Sequence, residues 1–159
     1  MIIRQAKPIK SDCDIIFELS NDPMVRKASF NQEIIQYSEH CKWYENNLAN
    51  ANVLFFLVFT DIDEAEFIGQ IRFKRNSERS SECIISLSIT KQFRGMHMAS
   101  KFLELGIKEL SQKWNLINTI VAEVKENNVP SNRLFSSYGF SLSSEVNTYK
   151  LKIVQKRNN

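Results

Sequence analysis

The stretch QFRGMHMASKFLEL, Gln92–Leu105, carries residues suited to holding an anion. It leaves an apolar run, ISLSIT, and turns through KQFRG. It then enters a helical pattern with Leu103, Ile107 and Leu110 on one stripe. The first N–H groups of a helix lack internal partners and lie at the positive end of its dipole. With Arg94 beside them, they could hold a pyrophosphate. Gly95 lets the backbone approach a ligand closely, and Ala99 allows tight packing below it. A plain helix start is an equal reading, because many strand-to-helix turns contain one Arg and one Gly. His97 stands where a second glycine would extend the pattern. It is either a backbone donor or a catalytic imidazole.

The elements that position this turn follow from periodicity. MIIRQA reads as a first strand. KSDCDIIFELSND reads as a helix, with Ile15, Ile16 and Leu19 at helical spacing and Ser11 or Asp12 as cap. Pro23 interrupts, and MVRKASFNQEII reads as irregular or weakly helical. SEHCKWYENNLAN is a second helix, with Ser38 as its cap and Trp43, Tyr44 and Leu48 on a buried face. VLFFLVFT is apolar throughout, as a strand covered on both sides would be. AEFIGQIRFKR alternates Phe67, Ile71 and Phe73 inward against Ile68, Gln70 and Arg72. SECIISLSIT alternates too. A helix from about Met96 to Trp114, a strand LINTIVAEV, a helix at VPSNRLFSSY with Pro130 in its first turn and a strand VNTYKLKIV complete the chain. The order β-α-α-β-β-β-α-β-α-β predicts a mixed α/β sheet: an antiparallel meander, then a parallel crossover, with helices on both faces.

A chain of 159 residues is one ordinary domain, here taken as 1–159, and can bury a core without disulfides or metal. A net charge of +3 with dispersed basic residues gives no nucleic-acid surface. Cys13, Cys41 and Cys83 form no CxxC pair, so neither zinc nor a disulfide framework is indicated, and a reducing, cytoplasmic setting is expected. The N-terminus lacks the apolar run of a signal peptide. No segment is long and apolar enough to span a membrane.

A second pattern gives the first its meaning. Arg94–Ala99 reads R-G-M-H-M-A and resembles the R/Q-x-x-G-x-G/A signature of the Gcn5-related N-acetyltransferases (GNAT). ENNVPSNRLFSSYGF resembles that family's N-x-x-S/A-x-x-L-Y/F-x-x-x-G-F, with Asn128, Ser131, Leu134, Phe135, Gly139 and Phe140 in step. The two lie in the family's order, one strand apart, and the element order agrees over essentially the whole chain. The resemblance implies acetyl-coenzyme A as donor and no metal. It also implies a cleft where Ile84–Thr90 and Ile117–Val124 splay apart. The main chain near Leu87 and Ile89 would then pair with the pantetheine arm, as an added strand does. The amides of Arg94, Gly95, Met96, His97, Met98 and Ala99 would hold the pyrophosphate. Asn128 would meet the pantetheine, and Ser131, Asn132 and Phe135 would border the coenzyme.

Two departures matter. His97 replaces a signature glycine. A helical φ there would leave its N–H on the phosphate, and that is the expected geometry. Phe135 replaces the tyrosine that many members carry to protonate the leaving thiolate, which a phenyl ring cannot do. Tyr138, another residue or water would then act as acid. Ser86 and Ser88, which share one face and could orient a water, and Glu82 are candidates for the proton acceptor. His40 is expected on the surface of its helix.

The acceptor segment LSNDPMVRKASFNQEIIQYSEHCKWYENNL, with FFLVF, FIGQIRFKR and ISLSI, resembles the acetyltransferases of pseudaminic-type nonulosonic acid synthesis. That resemblance implies acetylation of the 4-amino group of a nucleotide-linked amino sugar. Arg26, Lys27, Arg72 and Lys74 would offset a diphosphate, while Asn31, Trp43 and Tyr44 would meet sugar or base. A ribosomal-protein-type N-terminal acetyltransferase and a non-catalytic coenzyme A-binding module are the alternatives. A homodimer is allowed.

Overall fold

The structure is a computed structural model that describes residues 1–155. The last four residues of the expected domain lie outside the described residues. Strand β1 (Ile2–Gln5) leads to helices α1 (Lys10–Ser20), α2 (Pro23–Ala28) and α3 (Tyr37–Ala49). Strands β2 (Val53–Phe59), β3 (Phe67–Arg75) and β4 (Glu82–Ile89) follow. Next come α4 (Ala99–Lys113), β5 (Thr119–Glu123), α5 (Val129–Tyr138), a short β6 (Ser141–Leu142) and β7 (Thr148–Lys152). The seven strands form one sheet in the order β1-β2-β3-β4-β5-β7-β6. Only β4 and β5 pair in parallel, across the α4 crossover.

β2 shows why its sequence is apolar throughout. Leu54, Phe56 and Val58 face a core shared with Phe102 and Leu103 of α4 and Phe135 of α5. Phe55, Leu57 and Phe59 face Cys13 and Ile16 of α1 and Tyr44 of α3. The helices thus cover both faces, as predicted. The alternation predicted for β3 fails at its start. A bulge at Val58/Phe59 shifts the register, so Ile68 packs with Ile71 on the α4 side while Phe67 turns to the α1 side and meets Phe59. One extra residue in a ladder exchanges the faces on either side of it.

The predicted caps of the first helices are also corrected. α1 starts after Ile9, and Asp12 lies buried within its first turn. There Asp12 accepts two hydrogen bonds from Arg4 (2.7 and 2.8 Å) and one from the Lys7 N–H (2.8 Å). α3 starts after Gln36, with Ser38 inside the helix. The irregular stretch after Pro23 contains a true short helix, because the Asp22 carboxylate accepts from the N–H groups of Met24 and Val25. His40 is not on the surface. It is 1% exposed, with Nε2 2.9 Å from the Cys13 carbonyl oxygen. Burial lowers its pKa, so the neutral ring is favoured. The sulfurs of Cys13 and Cys41 lie 3.9 Å apart as free thiols.

Candidate active site

The central feature is where β4 parts from β5. Their pairing runs from Glu82–Thr119 to Ile85–Ala122 and ends there. β4 continues through Ser86–Ile89, still paired to β3. The Thr90 N–H bonds the Ile68 carbonyl on β3 at 2.8 Å. Antiparallel alternation then turns the N–H and C=O groups of Ser86 and Ser88 toward β3, and those of Leu87 and Ile89 toward the gap. The predicted open edge therefore exists. The Ile89 oxygen is already taken, accepting from Arg94 Nε at 2.8 Å.

The loop between β4 and α4 departs from expectation. α4 begins at Ala99, not Met96, so Arg94–Met98 is loop. His97 has φ +56°, left-handed rather than helical, and Gly95 has φ +72°. This corrects the expected geometry: here the position of the signature glycine takes a positive φ, where a side chain costs about 1–2 kcal/mol. Two left-handed residues, Gly95 and His97, curl the chain tightly here, and left-handed residues of this kind are used in anion-binding nests. The N–H groups of Gly95, Met96, His97 and Met98 have no main-chain partner among the described residues. That suits them to a pyrophosphate. The His97 side chain is exposed.

Arg94 does not extend into this cradle. Its Nη2 lies 2.9 Å from Asp22 Oδ1, an ion-pair contact without hydrogen-bond alignment. Arg94 thus ties the loop before α4 to the cap of α2. Burial raises the Asp22 pKa, but Arg94 and the Val25 and Met24 N–H groups outweigh it, and the net shift is downward.

On the second signature, Asn128 caps α5 by accepting from the Ser131 N–H at 3.3 Å. Asn132 donates to the carbonyls of Lys125 and Asn128 and accepts from the Tyr149 hydroxyl. These residues shape the β5–α5 turn. Phe135 is 5% exposed and packs edge-on against Phe140 at 4.9 Å. It belongs to the core, not to the cleft wall. Tyr138 lies a turn farther along α5 beside Phe140. Burial and the charge of Glu104 raise its pKa. It packs on the α4 side of the sheet, and the structure does not bring it to the serines.

Ser86 and Ser88 do share a face, the one covered by α1 and α3. Their β3 neighbours there are Arg72 and Gln70, and Gln70 Nε2 donates to Ser88 Oγ at 3.1 Å. Glu82 lies at the far, paired end of β4 and faces Lys150 at 3.8 Å. It is not part of this group. Sequence reasoning missed Glu123. Ile120 and Ala122 point into the α4-side core, so Glu123 projects to the opposite, serine-bearing face. Continuing the β4–β5 register by one step sets it beside Ser86, where the strands part. The signal was present: Glu123 is the only charged residue in LINTIVAEV.

The expected substrate residues divide. The Arg26 guanidinium is occupied by the carbonyls of Ser20, Asn31 and Glu33 and the Ser29 hydroxyl, so it shapes the loop after α2. Arg72 is drawn toward α3, stacked on Trp43 at 4.9 Å and donating to Asn47 Oδ1 at 3.1 Å. Tyr44 is core, with its hydroxyl donating to the Lys7 oxygen at 2.6 Å. Asn31 is exposed, its side-chain oxygen held by the Glu33 N–H. The loop after α2 crosses to the β5 side, where Lys125 Nζ donates to the Lys27 carbonyl at 3.1 Å and lies over the Phe30 ring. An open pocket of about 440 Å³ lies between the end of α1, the start of β3 and the end of β4, lined by Glu18, Leu19, Glu66, Phe67, Thr90 and Lys91 among others.

Comparison with known proteins gives the family and the fold. The profile of the acetyltransferase (GNAT) domain family matches residues 1–141. The chain belongs to the GNAT family and is an N-acetyltransferase. Among solved structures, it is similar to spermidine N-acetyltransferase from Vibrio cholerae in complex with CoA and spermine. The TM-score is 0.83 at 14% identity, over 97% of this chain and 95% of that one. It is similar to ribosomal-protein-alanine N-acetyltransferase from Brucella melitensis, with TM-score 0.75 and 16% identity over 96% and 100% of the chains. It is also similar to a domain from Methanocaldococcus jannaschii, with TM-score 0.79 and 21% identity over 96% and 97%. No curated protein sequence matches the chain. Among the described residues, no helix is long and apolar enough to cross a membrane.

Proposed function

We propose that this chain, as one cytoplasmic domain, transfers acetyl from acetyl-coenzyme A to the primary amine of a nucleotide-linked amino sugar. The observation that carries the transfer is the half of β4 that no longer pairs with β5, with Glu123 and Ser86 the next residues on each strand beyond the last pair. The Leu87 N–H and C=O and the Ile89 N–H hold the donor arm as an added strand. The N–H groups of Gly95–Met98 hold its phosphates. Acetyl-coenzyme A supplies the activated acyl group. Glu123, directly or through a water held by Ser86, takes the proton that the amine loses as its nitrogen bonds the acyl carbon. The C–S bond breaks, and the thiolate needs no strong acid to leave, since a thiol has a reference pKa of about 8.5.

Support for a sugar nucleotide comes from the mouth of the site. Lys27 and Lys125 provide positive charge there, and the exposed Phe30 provides a ring face. A second reading, a cationic acceptor such as a protein N-terminus, is favoured by Glu18 and Glu66 on the neighbouring pocket, which Lys91 also lines. Thiol release from acetyl-coenzyme A, measured with an amino-sugar nucleotide, an N-terminal peptide and spermidine, separates them. Turnover confined to the peptide or to spermidine would sink the sugar assignment. Tight donor binding with no turnover on any amine would leave a coenzyme A-binding module.

A further inference from the structure

The sulfurs of Cys13 on α1 and Cys41 on α3 lie 3.9 Å apart. Both are free thiols. Cys13 is 8% exposed and packs with Ile16, Tyr44 and Phe55. Cys41 is only half-buried, so solvent approaches the pair from the α3 side. Lys10, one turn before Cys13, and Tyr37, one turn before Cys41, both hydrogen-bond Asp14 at the surface. The Lys10 ammonium favours thiolate at both cysteines, and Asp14 offsets part of that effect. Burial and the contact with Cys41 hold the Cys13 thiol above its ordinary pKa, so Cys13 is not the first to react. The third cysteine, Cys83, is 1% exposed in the main core, and burial pushes its thiol up to about 12. It stands apart from the pair.

The geometry points to Cys13 and Cys41 as a redox-active dithiol that a small-molecule disulfide, such as oxidised glutathione, converts into a reversible bond between α1 and α3. This role is independent of the acetyl-transfer reading. A disulfide is about 2.05 Å long, so the sulfurs must close by about 1.9 Å. A change of side-chain rotamer moves a sulfur farther than that. The Cys41 thiolate attacks one sulfur of the oxidant, whose S–S bond breaks, and one thiolate leaves and takes a proton from water. Cys13 then gives its proton to solvent and attacks Cys41 Sγ, and the second small thiol leaves. Two protein thiols are oxidised and one small disulfide is reduced to two thiols. The new bond joins residues 28 apart in the chain and encloses α2 and the loop after it. In a reducing setting the thiols stay free.

The full chain, first reduced, is held folded in excess oxidised glutathione, quenched with acid, unfolded, alkylated and mapped by mass spectrometry. One peptide pair joined through Cys13 and Cys41 is expected, lighter by two hydrogens than the free pair, with Cys83 alkylated. Dithiothreitol should restore all three thiols. Glutathione resting on Cys41, chains joined to one another, or three free thiols would each overturn the inference. Cys13→Ser should trap glutathione on Cys41, and Cys41→Ser should leave Cys13 unmodified. Glutathione on Cys13 in Cys41→Ser would refute the assigned order of attack. Melting gives a second readout. The cross-linked chain should melt about 4–16 °C above the reduced one, the usual gain for a disulfide in a domain of this size. Cys13→Ser should show no such gain. A lower Tm for the cross-linked chain would mean that the bond forms only by distorting the fold, which would refute a pair set for closure.

Discussion

Gly69 faces Ile89 across the β3–β4 ladder, beyond the point where β4 has left β5. A Cβ at this position would lie 2.1 Å from the Ser88 carbonyl oxygen and 3.0 Å from Ile89 Cα. The atoms struck are main chain and cannot rotate away, so Gly69→Ala must push the strands apart by about 1 Å to restore van der Waals contact. Overpacking of this kind costs about 1–3 kcal/mol, and rigid neighbours put it at the upper end. For a domain of this size, about 3 kcal/mol is a fall of roughly 6–12 °C in Tm. The displaced atoms flank the open edge, where an error of about 1 Å costs on the order of 100-fold in rate. Thermal melting, calorimetric binding of acetyl-coenzyme A and thiol release measure the three effects. Gly106→Ala is the control. Its Cβ meets Ile71 Cδ1 at 2.3 Å, the tip of a side chain, and alanine regains about 1 kcal/mol of helix propensity. It should lose less stability and keep its donor affinity. If Gly69→Ala melts and binds like Gly106→Ala, the claim that this edge is the donor site's wall is wrong.

His97→Gly relieves the left-handed strain but frees the unfolded chain, which takes back about 0.4–1 kcal/mol. A Tm gain of up to about 2–4 °C and tighter acetyl-coenzyme A binding are expected, whereas a tenfold loss of kcat would show that the imidazole does chemistry. Glu123→Gln should lower kcat by about 10²–10⁴-fold, the usual contribution of a general base, with donor binding kept; full activity would remove Glu123 from the mechanism. Asp22 has a lowered pKa when folded, so its contribution is present above the unfolded carboxylate pKa and is lost as pH falls through the folded one. Melting followed against pH should therefore show a loss on the acid side that is reduced in Asp22→Asn, and identical profiles would dismiss the tie to Arg94.

The sequence by itself determined the class of fold and singled out the turn proposed to hold the donor. Apolar periodicity distinguishes a strand such as β2, covered on both faces, from the striped helix α4, because burial acts on every residue of an element. The two signatures, around Arg94–Ala99 and Asn128–Phe140, singled out a turn whose main-chain N–H groups suit an anion, and main-chain chemistry depends little on what His97 carries. Contacts between distant segments were not legible. The bulge at Val58/Phe59 decided which face Phe67 takes, and the β4–β5 register placed Glu123 at the parting of the strands and Glu82 at their paired end. The fates of Arg26 and Arg94 depended on which carbonyls and carboxylates the fold set within reach. Gln70 in sequence is one polar residue on an alternating strand. Only the packing of α1 against β3 and β4 buried it and left one end of its amide without a partner. Periodicity reports whether a residue faces a core, but the partners of a polar group are set by tertiary geometry, and in this protein that geometry determines the chemistry.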